Sequence, residues 1–185
     1  MKKFITIFIL MVISRIYDII STYEYIPDLK GEANPLVSFL NFGWTGSLFV
    51  QILVLCCLTY ALYIYCFKKV NTINIDDKIS LIEFVSIFHF NEPGKFHQIF
   101  YKLSTNKNSF LYSIGAIVPK ALIIISLIVG SSTTMLIYNE HYQTVYGKYN
   151  IPTILYLTMI VIVIVVTIDF YKKEKQKRLI NTAIQ

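Results

Sequence analysis

Arg15 and Asp18 stand three residues apart in a run, Phe4 to Thr22, that is otherwise almost wholly apolar. At about 100° per residue on a helix, Ser14, Arg15, Asp18, Ser21 and Thr22 share roughly a third of the circumference. Apart from Tyr17, the positions around them are Ile, Leu, Phe, Val and Met. A charged group facing lipid at such a site costs at least a few kcal/mol, so this stripe is expected to face protein or a wet cavity. A second acid returns after a short link, in Glu32-Ala33-Asn34-Pro35. Asp18, Glu32, Asn34 and Thr22 are hard oxygen donors, the ligand types that hold Mg, Ca or Mn. A divalent cation is therefore the cofactor this set would take. Two carboxylates in one desolvated place would also suit proton sharing or acid–base work, because burial raises a carboxyl pKa. Both chemistries require Asp18 and Glu32 to meet. The alternative is structural: Arg15 reaches Asp18 one turn along the helix, neutralises it, and the pair locks neighbouring helices together.

Those residues need helices to hold them. A membrane-crossing helix takes about 20 mostly apolar residues, and four runs qualify, at about 4–22, 45–67, 118–138 and 151–171. The chain is 15% charged, against about a quarter for soluble domains. The expected fold is an all-α membrane protein, one integral membrane domain built as a four-transmembrane-helix bundle. Gln51 of the second run lies about as deep as Asp18, counting ~1.5 Å per residue. Ser131–Thr134 of the third run fall in the same outer half. Arg15, Asp18, Thr22, Gln51 and Ser131–Thr134 are thus expected to form one polar layer, with Glu32 and Asn34 folding over it. Pro35 suits the start of a short helix ending at Asn41, and Pro119 the start of the third span.

The segment 68–117 reads as an interfacial loop. Leu81, Ile82, Phe84, Val85, Ile87 and Phe88 are broken by Ser80, Glu83, Ser86 and His89, and Lys95–Leu103 again separates apolar from polar positions. Asn91-Glu92-Pro93-Gly94 divides them as a turn. This predicts a cytoplasmic amphipathic helical pair between helices 2 and 3, lying on the inner leaflet.

The net charge is +6, distributed as a membrane would require. With both termini cytoplasmic, the inner segments and the basic tail 172–185 hold nearly all the lysines. The outer segments hold Lys30 and Lys148 against Glu24, Asp28, Glu32 and Glu140. That is the positive-inside asymmetry, and it argues against a nucleic-acid footprint. The expected partners are the lipid bilayer, anionic lipids at the basic inner face, and a membrane-protein partner or a second copy of the chain. The first run lacks a small-x-small cleavage site and is expected to stay attached. Cys56, Cys57 and Cys66 form no CxxC pair. His89 and His97 flank the turn without a third zinc ligand beside them, and His141 falls on the opposite side. The sequence carries no P-loop, GxSxG, HExxH or EF-hand pattern.

Asp18-x-x-Ser21-Thr22 followed by Glu32-Ala33-Asn34-Pro35-Leu36 resembles the pattern of a family of small prokaryotic membrane proteins known only as a domain of unknown function. In that pattern an intramembrane Asp-x-x-Ser/Thr-Thr helix precedes a Glu-x-Asn-Pro turn and another span. The match covers roughly the first third of the chain. The resemblance implies a shared architecture in the prokaryotic cell membrane, without a known activity. Three functions are expected from the sequence. One is a buried polar site handling a small ion or solute, with Asp18, Glu32, Asn34, Arg15, Thr22 and Gln51 as its residues. Another is a structural or interaction subunit of a membrane complex. The third is an intramembrane hydrolase or transferase using the paired carboxylates, for which no nucleophile motif is present.

Overall fold

The computed structural model describes residues 1–29, 43–68, 79–102 and 104–183. The described residues form six α-helices and one 3-10 turn. These are α1 (Lys2–Tyr25), α2 (Trp44–Phe67), α3 (Leu81–Phe90), the 3-10 turn Phe96–Phe100, α4 (Lys107–Tyr138), α5 (Glu140–Lys148) and α6 (Ile151–Ala183). Four of them, α1, α2, α4 and α6, are long and apolar enough to cross a membrane. Glu32, Asn34 and the expected helix Pro35–Asn41 lie outside the described residues.

The four long helices alternate in direction. At one end, called here the near end, the Lys3 ammonium donates to the Tyr65 hydroxyl at 2.7 Å. Tyr65 meets Tyr112 edge-on at 5.0 Å, and the Tyr112 hydroxyl donates to Glu174 at 3.2 Å. The start of α1, the end of α2, the start of α4 and the late part of α6 therefore sit together. At the far end Tyr23 packs edge-on against Trp44. The Trp44 indole N–H donates to the Pro27 carbonyl at 2.7 Å, which ties the exit of α1 to the entry of α2.

α4 is the hub, touching α1, α2, α3, α5 and α6. It also corrects the expected boundary. The helix begins at Lys107, not at Pro119, which lies inside it. Asn106 supplies the start signal, since its side chain accepts from the Ser109 N–H. Proline costs a helix one N–H bond and presses on the carbonyl four residues back. Packing outweighs that cost here: Ser109, Tyr112, Ser113, Ala116 and Ile117 are all buried. Gly115 lets α2 come close, for a Cβ there would stand 2.0 Å from the Ala61 carbonyl oxygen.

The expected amphipathic pair also changes form. α3 exists, and Ser80 and Glu83 build a reciprocal capping box at its start, satisfying two backbone donors. Its apolar side is covered by protein. Phe84 and Phe88 are fully buried with Tyr112, Phe170 and Tyr171. The second member is a 3-10 turn, with Gln98 N–H donating to the Lys95 carbonyl and Tyr101 N–H to that of Gln98. Buried Ser86 secures the intervening turn by donating to the Glu92 carbonyl and accepting from the Lys95 N–H, both at 2.7 Å.

α6 contrasts with the others. No residue of α6 from Ile151 to Asp169 is buried, so its Ile/Val surface faces outward. Its basic end continues as helix, and Glu174 and Arg178 turn inward at 8% and 7% exposure.

Candidate functional site

Arg15 lies ten residues below the end of α1, and Gln51 and Ser126 lie at comparable depths in α2 and α4, about 10–18 Å from the far ends at ~1.5 Å per residue. The guanidinium bridges all three helices. Nη1 donates to Asp18 Oδ2 at 2.6 Å and to Ser126 Oγ at 3.1 Å, and Nη2 donates to Gln51 Oε1 at 2.8 Å. Gln51 is aimed in turn by its Nε2, which faces Ser47 Oγ at 3.4 Å. Arginine suits this role because its planar, permanently charged fork presents several donors at fixed angles. Asp18 balances the charge, and the two side chains retain only 17% and 13% exposure.

The remaining sequence-derived candidates divide. Arg15, Asp18 and Gln51 come together. Thr22 is half-buried further toward the far end, and its carbonyl accepts from the Ile26 N–H. No bond joins it to Arg15 or Gln51 among the described residues. Ser131–Thr134 serve other contacts. Thr134 donates to the Gly130 carbonyl, so the Tyr17 hydroxyl is the donor in their 3.0 Å contact. Ser132 pairs with Tyr142 of α5 at 2.8 Å, and Ser131 is exposed.

Ser126, which is fully buried, was not among the candidates. It hides as a lone serine between Ile125 and Leu127. The cue was periodic: Ser126, Gly130, Thr133 and Thr134 recur at the i, i+4, i+7, i+8 spacing of one helix face.

Of the cation set Asp18, Glu32, Asn34 and Thr22, Glu32 and Asn34 lie outside the described residues. The cluster's one cation already neighbours its one carboxylate, and no three His, Cys, Asp or Glu side chains gather among the described residues. The carboxylate-pair chemistry depends on Glu32, which lies outside them.

A second polar cluster sits at the near end. His89 is 4% exposed. Its Nε2 lies 2.5 Å from the Tyr171 hydroxyl and its Nδ1 3.3 Å from Ser104 Oγ. Ser104 donates to the His89 carbonyl at 2.7 Å, so Nδ1 carries the ring proton and Nε2 accepts from Tyr171. Burial lowers the His89 pKa to about 4, which keeps the ring neutral. With its hydroxyl proton held by backbone carbonyls and no unprotonated nitrogen facing it, Ser104 is not set up as a nucleophile. Nearby, the buried Arg178 Nε donates to Glu174 at 3.0 Å, and its guanidinium carbon lies 4.8 Å from the Phe88 ring centre.

No family model matches the chain, and no curated protein or solved structure matches it.

Proposed function

We propose that this chain is a four-span integral membrane protein of the prokaryotic cell membrane with both termini cytoplasmic. We further propose that the Arg15 cluster is a clasp holding three of its spans in register. On this reading the protein is a structural or interaction component of a membrane assembly. The observation that carries it is one guanidinium donating to α1, α2 and α4 at once. Intramembrane charges normally mark function, and here the function supported is to fix a particular arrangement of helices. The motif from Asp18 to Pro35 supports the same architecture through its resemblance to the family of unknown function.

A second reading, a site for a small ion or solute, is favoured by the residual exposure of Arg15 and Asp18, which leaves the pair reachable.

Asp18→Asn separates the two. Removing one partner of a buried ion pair costs about 3–5 kcal/mol, so the clasp predicts a clear loss of thermal stability in detergent, with activity in a complementation assay lost in step. The variant Arg15→Met/Asp18→Leu, with no charge left to satisfy, is expected to recover part of that stability and part of the activity. Full stability of Asp18→Asn with lost complementation would overturn the clasp and favour the ion or solute site.

A further inference from the structure

A cavity of about 180 Å³ opens beside the His89 cluster, between α3, the 3-10 turn, α4 and α6. Most of its wall is hydrocarbon: Ile99, Phe110, Ile114, Ile117 and Val118. Three of these, Ile99, Phe110 and Val118, remain more than a third exposed, so the mouth is apolar as well. The polar groups on the wall ask nothing of a ligand. His89 bonds to both Tyr171 and Ser104, and Ser113 donates to the Ser109 carbonyl. Among the described residues one charged side chain lines the cavity, Lys102. It is exposed and makes no ion pair among the described residues.

A hydrocarbon pocket whose single charged side chain among the described residues is a cation without an ion pair there fits a molecule with an apolar tail and an anionic head. Pockets for whole drug-sized ligands run to roughly 300–1,000 Å³, so this one takes a length of chain and leaves the rest outside. We propose that the cavity holds part of one acyl chain of an anionic phospholipid, with the phosphate of its headgroup on Lys102. The inference rests on the protein being a membrane protein and is independent of the Arg15 clasp, which lies in another part of the bundle.

The test is native mass spectrometry of the full chain in detergent, titrated with phosphatidylglycerol and with phosphatidylcholine of the same acyl chains. Phosphatidylglycerol is expected to be retained at least tenfold more tightly. Lys102→Glu, a change at an exposed position, is expected to erase that preference. Ile114→Trp, which fills the cavity from α4, is expected to abolish the tight retention. Equal retention of the two lipids overturns the proposal. So does unchanged phosphatidylglycerol retention in Lys102→Glu, which decides the matter even where Ile114→Trp fails to fold. Glycerol 3-phosphate binding as tightly as the lipid would show a site for the headgroup alone and overturn the role of the cavity. Stability changes in Arg15 or Asp18 variants bear on the clasp and leave these outcomes readable.

Discussion

At the scale of single residues, the two ionisable side chains that differ most in their solution are Arg15 and His89. Arginine cannot shed its charge, so it must be surrounded by acceptors, and three helices provide them. Histidine can shed its charge, and burial makes it do so. This has a pH consequence with a definite sign. The folded His89 has its pKa lowered to about 4, whereas an unfolded histidine titrates near 6.5. Between those values the unfolded chain binds the extra proton, so stability falls as the pH drops through the window and is fully present above it. At about 1.4 kcal/mol per pH unit, the loss from this one group approaches ~3 kcal/mol at pH 4. Carboxylates titrate nearby, so the informative quantity is a difference. The melting temperature of the native chain is expected to fall more steeply from pH 6.5 to pH 4 than that of His89→Phe. Parallel slopes would show that His89 is protonated in the folded protein.

At the scale of elements, close approach to α4 governs what the helices tolerate. A Cβ on Gly115 would stand 2.0 Å from the Ala61 carbonyl oxygen and 2.4 Å from its carbon. Both are backbone atoms and cannot turn aside. A Cβ on Gly130 would meet the Tyr17 ring at 2.8 Å, and a ring can swing at the expense of its bond to Thr134. A Cβ on Gly147 meets nothing within 4 Å. Overpacking a well-packed contact costs about 1–3 kcal/mol. Gly115→Ala is therefore expected at or beyond the upper end of that range, Gly130→Ala below it, and Gly147→Ala at zero or slightly stabilising, since alanine favours a helix. Thermal melts of the three variants in one detergent check the order.

The same elements show how far the sequence could be read. Long apolar runs announced α1, α2 and α6, and helical spacing put Arg15 beside Asp18. The depth of Gln51 was legible because it is the lone strongly polar residue in the outer half of its run. The start of α4 was not. Lys107–Ser113 carries too many polar residues to look like a span, and its helicity rests on packing against α3 and α6. Pro119 then offered a false start. The inward turn of Glu174 and Arg178 was hidden for a related reason. Their i, i+4 spacing allows a pair, but nothing local distinguishes a buried pair from a solvated one in a basic tail.

At the scale of the whole molecule, charge and fold agree on one polarity. The near end carries Lys2 and Lys3 at the start of α1, Lys68 after α2, Lys107 at the start of α4 and Lys172–Arg178 late in α6. The described far end carries Lys148 against Glu24, Asp28 and Glu140. Basic residues are held back from translocation, so the near end is expected inside and the far end outside. The native thiols must first be replaced, because Cys56 and Cys57 are exposed and Cys66 half-buried. In that cysteine-free background, Lys148→Cys and Lys177→Cys place single thiols on exposed positions at opposite ends. A membrane-impermeant maleimide added to intact cells is expected to label position 148 at once and position 177 after permeabilisation. The opposite pattern would invert the bundle. It would also move the Lys102 cavity to the outer leaflet, leaving the Arg15 clasp itself untouched, because the clasp depends on which helices meet and not on which way they point.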